Sequence, residues 1–357
     1  MVKSGEIWDD HDRIKVFVRK KAVKGVVHIA TISQIASEAN VSSTLVSRVL
    51  NNKPGVSPEN RAKIQSIIDK HSYVPNAIAR SLVTQKTSTI GVVVDNLTNA
   101  FFFDFYEGIQ HMSEELKYNV VFCSGNDDFD LKLQYVDYFT QGIVDGLIVY
   151  NSHKKDLFYK QFKKASNFVV VEGNVPGKMF NKVHVNNSDG AYRAAKYLID
   201  LGHKNIVHFT GDMDYHCSSE RMAGFLRALR DNSLPTENAI IYADFKEDLS
   251  YNIMSELISK GTVPDACFTG ADKAAFGILR AMKEHGLSAP KDMAVIGFDG
   301  DVPDTRSMVF PKLTTMRQPL FEVGREAVRL LVRSIEDPTA LPVTTVLNSE
   351  LVIGETT

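Results

Sequence analysis

Short apolar runs alternate with helical stretches through most of the chain, and this alternation restricts the fold more than any other feature. The apolar runs read TIGVVVD, NVVFCSG, DGLIVY, NFVVVEG and KVHVN, and then, beyond a helix that starts near Ser188, NIVHFTG, AIIYAD, ACFTG and MAVIGFD. Helical stretches between them include 104–117, 188–201, 220–231 and 272–286. Such a pattern is typical of parallel sheets covered by helices on both faces. We therefore predict an α/β core of two doubly wound lobes, over about 90–190 and 190–335.

The segment before this core carries the signals of a first short helix. Thr31 and Gln34 have the spacing of a capping box, in which each side chain satisfies a backbone N–H of the other residue. Asn40 tolerates the left-handed conformation of a tight turn, so the helix is predicted to end there. The apolar face of this helix comprises Ile32, Ile35, Ala36 and Ala39.

Two more helices follow, and together the three predict a helix-turn-helix unit. Ser42 can cap the second helix, while Ser57, Pro58 and Glu59 form the start of the third. The second helix buries Val46, Val49 and Leu50, and the third buries Ile64, Ile67 and Ile68. The outer face of the second helix carries Ser43, Thr44, Ser47, Arg48 and Asn51. Hydroxyl, amide and guanidinium groups suit a DNA major groove, although the same residues also make an ordinary polar surface.

The charge distribution favours the DNA interpretation. Residues 31–86 hold seven Lys or Arg against three Asp or Glu, and residues 1–30 hold seven against four. The remainder of the chain has 27 basic and 36 acidic residues. A basic head on an acidic body indicates a polyanionic partner for the head.

Polar and aromatic residues gather where strands of the predicted core end, which is where doubly wound sheets bind ligands. They are Asn96 to Phe102 after the first strand, Glu172 after the fourth, and Arg221, Asp272 and Asp299 in the second lobe. Rings that stack on a sugar face, with carboxylates, amides and a guanidinium for its hydroxyls, suit a carbohydrate. Taken singly, these residues have ordinary interpretations, since an Asp at a strand end is often a helix cap and a Phe is usually a core residue.

Other function classes find little support in the sequence. No apolar run reaches the length of a membrane span, and the basic N-terminus does not resemble a signal peptide. Cys123, Cys217 and Cys267 are far apart, which favours reduced thiols in the cytoplasm and buried, small hydrophobic roles. Enzyme motifs and metal-ligand spacings are absent, and His203 and His208 are interpreted as surface and core residues. We predict neither catalytic activity, nor a metal, nor a cofactor.

Seven motifs give the chain a resemblance to the LacI/GalR family of bacterial transcription repressors over nearly all of residues 30–355. They are TISQIASEANVSSTLVSRVLNN, GVSPENRAKI, SYVPNAIARSL, TIGVVVDNLTNAFF, LIDLGHKNIVHFTG, ERMAGF and VIGFDG. The later motifs also resemble periplasmic sugar-binding proteins, which have the two-lobed core but would be exported and lack a helix-turn-helix.

The resemblance implies a homodimer that binds operator double-stranded DNA and responds to a small effector in the cleft of the core. Residues 76–83 then correspond to a hinge helix that forms on DNA, with Leu82 as a minor-groove wedge and Ala79 at the contact between two hinges. The DNA-contacting set comprises Thr31, Ser42, Ser43, Thr44, Ser47, Arg48, Asn51, Ser57, Asn76, Ala79 and Leu82. The effector set comprises Asn99, Phe101, Phe102, Glu172, Arg221, Phe245, Asp272, Asp299 and Gln318.

Several positions depart from the family pattern and leave the effector open. Leu45 replaces a usual Thr, Ala271 replaces a common Asn, and Glu172 stands where Asp is usual. A sugar or related polyol is the first expectation; a purine, a phosphorylated metabolite or a protein co-regulator is the alternative. The expected domains are a head over 30–75, a hinge and linker over 76–87, and a dimerising core over 88–357. Residues 1–29 are either a disordered basic arm or a misassigned start.

Overall fold

The computed structural model describes residues 30–73, 81, 84, 86–125, 128–150, 167–173, 180–300 and 311–357. The chain divides into two compact units, Met1–Thr84 and Gln85–Thr357. Within the described residues, none of the helices has both the length and the apolar character needed to cross a membrane. We describe each unit by itself.

The first unit contains three helices, α1 (Ile32–Ala39), α2 (Ser43–Leu50) and α3 (Pro58–Lys70). The capping box of Thr31 and Gln34 is present, and Asn40 ends α1 in the left-handed conformation at φ 52°. Ser42 and Ser57 cap α2 and α3 by accepting hydrogen bonds from backbone N–H groups. A small core forms from the apolar faces, with Ile35, Ala36, Ala39, Val46, Val49, Ile64 and Ile68 buried. The sequence prediction of a three-helix head is therefore correct.

The first lobe of the second unit begins with β1 (Thr89–Val94), the 3₁₀ turn Ala100–Phe102, α4 (Phe103–Glu115) and β2 (Asn119–Ser124). It continues with α5 (Phe129–Phe139), β3 (Gly146–Tyr150), β4 (Phe168–Val171) and β5 (Asn181–Val185). The second lobe contains α6 (Asn187–Asp200), β6 (Ile206–Thr210), α7 (His216–Asp231), β7 (Ile240–Tyr242) and α8 (Glu247–Ser259). Then follow β8 (Ala266–Thr269), α9 (Asp272–Glu284), β9 (Ala294–Asp299) and β10 (Thr314–Arg317).

The last three elements are α10 (Leu320–Glu336), β11 (Thr344–Leu347) and β12 (Glu350–Val352). Among the described strands, the first sheet has the order β11-β5-β4-β3-β1-β2 and the second has β12-β10-β9-β8-β6-β7. Neighbouring strands are parallel except β10 and β12, which are antiparallel. All nine apolar runs named from the sequence form strands, and the prediction of two parallel, doubly wound lobes is confirmed.

The boundary predicted for the second lobe is wrong, because the chain crosses between the lobes three times. The crossings follow β5, β10 and β11, so that α10 packs against α4 and buries Val323, Ala327 and Leu331 in the core of the first lobe. β11 then pairs with β5 in the first sheet, and β12 returns to the second sheet. Residues 320–347 thus belong to the first lobe, not to a second lobe that runs continuously to 335.

Glycines allow α4 and α10 to approach closely. A Cβ at Gly108 would lie 2.0 Å from the backbone oxygen of Phe321, and one at Gly324 would lie 2.4 Å from that of Phe105. Because neither obstacle is a flexible side chain, the two helix backbones themselves set the separation. This contact holds the returning helix on the first lobe.

We predict that Gly108→Ala lowers the free energy of unfolding by about 1–3 kcal/mol, because the added methyl forces the two helix backbones apart. Denaturant unfolding of the full chain measures the change. Glu107→Ala alters the neighbouring, exposed position of the same helix and serves as the control. Equal stability of Gly108→Ala and the wild type would contradict the close packing described here.

Candidate functional site

The predicted DNA-contacting residues of the head fall into two structural groups. Thr31, Ser42 and Ser57 use their hydroxyls to cap helices α1, α2 and α3. The residues on the outer face of α2 are exposed or half-buried, and they are Ser43, Thr44, Ser47 and Arg48, with Asn51 just beyond the helix. Asn76, Ala79 and Leu82, assigned to the hinge, lie outside the described residues.

Arg48 contacts the loop between α2 and α3. Its Nη1 donates to the backbone oxygen of Pro54 at 2.9 Å, and a Cβ at Gly55, where φ is +89°, would lie 2.7 Å from that nitrogen. Arg61 holds the same loop from α3, donating to Asn52 Oδ1 at 3.3 Å and to the Lys53 oxygen at 3.0 Å. The guanidinium of Arg48 remains exposed and presents further donors to a partner.

Leu45 has a structural reason for its departure from the family pattern. Its side chain is half-buried and packs against the core of the head rather than facing outward with Thr44. The apolar residue therefore adds packing to the head at a position where the resemblance led us to expect a hydroxyl. In this head, the polar surface of α2 starts with Ser43 and Thr44.

A cleft of about 480 Å³ lies between the two lobes of the second unit. The first lobe contributes Asp95, Asn96, Thr98, Asn99, Phe101, Phe102, Tyr150 and Glu172. The second lobe contributes Tyr215, Cys217, Arg221, Asp244, Phe245, Ala271, Lys273 and Asp299. Seven of the nine residues predicted from the sequence therefore line one cavity at the carboxyl ends of the strands, as the doubly wound fold requires.

The first lobe's wall of the cleft is aromatic, and the side-chain amide of Asn99 fixes its backbone. Phe102 meets Phe101 and Tyr150 edge to face, with ring centroids 4.9 Å apart in both pairs. Asn99 caps the 3₁₀ turn by accepting from the Phe101 N–H at 3.3 Å. Since the rings brace one another, the wall is a preformed apolar surface.

Arg221 is the central side chain of the second lobe's wall. Although only 5% exposed, it donates from Nε to Asn187 Oδ1 at 2.9 Å and from Nη1 to the backbone oxygen of Gly270. Its Nη1 lies 3.7 Å from Asp299 Oδ1, and its guanidinium carbon lies 3.8 Å from the ring centroid of Phe298. A buried cation with this many partners holds a fixed geometry.

Phe245 covers one side of the second lobe's wall. Its ring lies over Gly211 and Gly270: a Cβ at Gly211 would lie 2.0 Å from a ring carbon, and a Cβ at Gly270 would lie 2.7 Å from one. The ring also meets Tyr215 at a centroid distance of 6.2 Å. These two glycines let the ring lie flat against the backbone, where it presents an apolar face to the cleft.

Four residues that line this cavity have a positive φ. Glu172, Asp244 and Phe245 have φ of 56°, 51° and 58°, and Asp299 has φ of 143°, values that L-residues rarely adopt. All four line the cleft. Strained conformations that aim side chains at one cavity are typical of binding sites.

Glu172 is buried at the junction of the lobes and receives hydrogen bonds from both sides. The Val185 N–H donates to its Oε1 at 2.6 Å, and Asn187 Nδ2 donates to its Oε2 at 3.2 Å and to Glu220 Oε2 at 3.2 Å. Burial raises the pKa of Glu172 to about 7, and the hydrogen bond from Val185 and the charge of Arg221 oppose that rise. The carboxyl thus changes charge near neutral pH.

Asp272 and Gln318, which we predicted among the effector residues, do not line the cleft. Asp272 is fully buried, and its carboxylate accepts from Thr315 Oγ1 at 2.7 Å and from the Gly300 N–H at 2.9 Å. Gln318 is 4% exposed and donates to Asp299 Oδ1 at 2.7 Å. The two residues hold the end of β9 and the side chain of Asp299 instead of facing a ligand.

Sequence reasoning missed several residues of the site. No sequence motif marks Tyr150, Tyr215, Asp244, Lys273 or the amide of Asn187, although each of them lies near the carboxyl end of a strand. Cys217 was expected to be a buried, small hydrophobic residue, but it is half-buried and lines the cleft. Cys123 is also half-buried, and only Cys267 is buried as expected.

His208 is a core residue, as predicted from the sequence. His208 is fully buried, its ring stacks on Phe268 at 4.6 Å, and burial lowers its pKa to about 3. Within the described residues, no group of three or more His, Cys, Asp or Glu is arranged to hold a metal ion.

Comparison with known proteins agrees with the two-unit architecture. The family of bacterial regulatory proteins of the lacI type matches residues 31–76, and a periplasmic binding protein-like domain matches residues 195–357. Catabolite control protein A of Priestia megaterium is 31% identical over 312 residues, covering 87% of this chain and 93% of the relative. The HTH-type transcriptional repressor PurR of Vibrio parahaemolyticus is 30% identical over the same shares of the two chains. A solved complex of the transcriptional regulator CelR with cellobiose has a TM-score of 0.69 at 27% identity, covering 92% of this chain and all of that one.

A helix-turn-helix head followed by a two-lobed, ligand-binding core defines a class of effector-controlled transcription regulators. The chain belongs to the LacI family of these bacterial regulators. It is a DNA-binding transcription regulator controlled by an effector, and its relatives named above are regulators rather than enzymes.

We predict that Glu172→Gln flattens the pH dependence of stability. A folded-state pKa near 7 exceeds the ordinary value of 4.5, so this carboxyl stabilises the fold fully below pH 4.5 and loses that contribution as pH rises to 7. The loss amounts to roughly 3 kcal/mol in the wild type and is absent in the variant. Denaturant unfolding of both proteins between pH 4.5 and 8 measures the difference.

Glu256→Gln is the matched control for this titration. Glu256 is exposed, and a hydrogen bond from Lys260 lowers its pKa from the ordinary value, opposite to the direction for Glu172. That variant keeps the wild-type slope between pH 4.5 and 8. Parallel profiles for Glu172→Gln and the wild type would rule out a carboxyl at residue 172 that titrates near neutrality.

Proposed function

We propose that this LacI-family regulator is a homodimeric repressor that binds a small sugar or related polyol in the cleft between its lobes. The observation that carries the proposal is the Arg221–Asp299 pair facing the aromatic rings of Phe101, Phe102 and Phe245 in one cavity. A guanidinium donates in a fork and a carboxylate accepts two protons, so the pair suits adjacent hydroxyls of one ring. The aromatic faces suit the apolar side of the same ring.

The outer face of α2 supports a major-groove contact for the head. Arg48, Ser43 and Thr44 are exposed together there, and the charge of residues 31–86 is basic. A dimer would apply two such faces to a palindromic operator, and Arg48 would pair with a guanine in each half-site.

A phosphorylated metabolite or a purine is the second candidate effector class. Lys273 is exposed at the cleft and supplies a cation near Arg221, which favours an anionic group on the ligand. The carboxylates of Asp95, Asp244 and Asp299 oppose that choice, because they line the same cavity. We therefore give priority to the uncharged, hydroxylated class.

We predict that Arg48→Ala loses about 1–3 kcal/mol of binding free energy for the operator, because a bidentate contact with guanine disappears. The operator is the duplex that the wild-type protein selects from a random pool, and fluorescence anisotropy measures affinity for it and for a scrambled duplex. Arg61→Ala removes hydrogen bonds to the same loop and controls for loop disorder. A ratio of operator to scrambled affinity that is unchanged in Arg48→Ala would refute the guanine contact.

We predict that Arg221→Ala and Asp299→Ala weaken sugar binding at least about tenfold, because each removes charge-assisted hydrogen bonds from a dry cavity. A thermal-shift screen with neutral sugars and polyols selects the sugar, and calorimetry then measures its affinity for each variant. Arg227→Ala removes an exposed Arg from the same helix and is the control. Wild-type affinity in both cleft variants would locate the site elsewhere.

A further inference from the structure

A lysine is completely buried behind the wall of the first lobe. The side chain of Lys132, on α5, is 1% exposed, and its Nζ lies 2.5 Å from Asp95 Oδ1. The same nitrogen donates to the backbone oxygen of Tyr150 at 2.7 Å. Asp95 is itself 7% exposed and lines the cleft, as does Tyr150. The ammonium therefore lies directly behind two residues of the binding wall.

The pair occupies the switch point of the first sheet. Asp95 follows β1 and Tyr150 ends β3, and these strands are neighbours in the order β4-β3-β1-β2. In a sheet of this order, the connections leave the two strands toward opposite faces and open a crevice between their carboxyl ends. Lys132 bonds to the ends of both strands from behind the wall of the cleft. It thereby fixes Asp95 and the backbone of Tyr150 at the base of that crevice.

The surrounding chain accommodates the lysine stem. A Cβ at Gly125 would lie 2.2 Å from Lys132 Cγ, so the glycine leaves the space that the side chain occupies. The Gly125 N–H donates a hydrogen bond to the Val94 backbone oxygen at 3.0 Å, which holds the chain at Gly125 against the end of β1. The ion pair is thus part of the local backbone arrangement and not a chance contact of a long side chain.

Stability alone does not account for such a pair. Removing two charges from water is costly, and well-packed apolar residues of similar volume stabilise a fold equally well or better. A buried ion pair at a binding cavity instead fixes the position of a charged group that a ligand meets. Asp95 is the member of the pair that lines the cleft.

We propose that Asp95 is a specificity-determining residue of the cleft, which accepts hydroxyl protons of the effector and excludes phosphorylated ligands, and that Lys132 is its positioning residue. This inference rests on the proposed function, in which the cleft binds a sugar. A rigidly held carboxylate has acceptors only, so it bonds to hydroxyl donors of a sugar and provides no donor for the oxygens of a phosphate. Lys132 acts through Asp95 and does not itself contact the ligand.

The test compares neutral sugars with their phosphates. D-ribose is paired with ribose 5-phosphate, D-glucose is paired with glucose 6-phosphate, and cellobiose is added as a larger neutral probe. Calorimetry measures the affinity of each probe for the wild type, Asp95→Asn, Lys132→Met and the double variant. Asp189→Asn removes a carboxylate from an exposed ion pair outside the cleft and is the matched control. Thermal unfolding of each protein verifies its fold, and the double variant leaves no unpaired buried charge.

The expected result is a wild type that binds a neutral sugar and binds its phosphate at least about tenfold more weakly. Asp95→Asn weakens binding of the neutral sugar at least about tenfold and reduces the discrimination against phosphate. Lys132→Met releases Asp95 from its fixed position, so it weakens binding of the neutral sugar without improving binding of the phosphate. The double variant, folded as stably as the wild type, shows the same reduced discrimination. A purely structural role of Asp95 would lower stability and leave the ratio of the two affinities unchanged, so that ratio identifies the specificity role. Weakened sugar binding by folded Lys132→Met identifies the positioning role.

Three results would overturn the inference, and they separate it from the proposed function. A neutral sugar bound equally by the wild type and by folded Asp95→Asn would remove the specificity role and leave the sugar cleft intact. A preference of the wild type for a phosphorylated sugar would keep the carbohydrate class and overturn the exclusion. A wild type that binds no probe would contradict the sugar cleft itself, and the inference with it.

Discussion

The buried guanidinium of Arg221 is the interaction on which the binding cleft depends. It belongs to α7, yet it contacts Asn187 at the start of α6, the backbone oxygen of Gly270 after β8 and the carboxylate of Asp299 at the end of β9. Through Asn187 it also reaches Glu172 in the first lobe, so a single charge links both walls. A charge removed from water requires these partners, and their loss would leave several polar groups unsatisfied together. The cleft is therefore one connected polar network rather than a set of independent side chains.

The fold was predictable wherever a strand is a continuous apolar run. Most of the first nine strands satisfy that condition, and all nine were identified from short apolar segments, although β5 alternates Val with Lys and His. β10, β11 and β12 were not, because TTMR, TTVL and ELV are short and mix polar with apolar residues. The return of α10 to the first lobe has no local signal at all. Its position follows from backbone contact at Gly108 and Gly324, which are distant in the sequence.

The site was predictable by location but not by side-chain direction. Asp272 and Asp299 both follow strands of the second sheet, and the sequence assigns them the same role. The structure separates them, because the carboxylate of Asp272 turns inward to Thr315 and the Gly300 N–H while Asp299 lines the cavity. Local sequence cannot distinguish the two directions, since both need only an acidic residue at a strand end. Lys132 was missed for the same reason: on a helix it looks like any solvated lysine.

The central claim is that occupation of the cleft changes the affinity of the head for its operator. The most direct test measures operator affinity by fluorescence anisotropy with and without the sugar that calorimetry has shown to bind, and sugar affinity with and without operator. Thermodynamic linkage requires that the sugar change operator affinity by the same factor by which the operator changes sugar affinity. We predict a factor of about 5–150, in either direction. The factor disappears in Arg221→Ala at the same sugar concentration. Operator affinity that is identical with and without a saturating sugar would contradict the account.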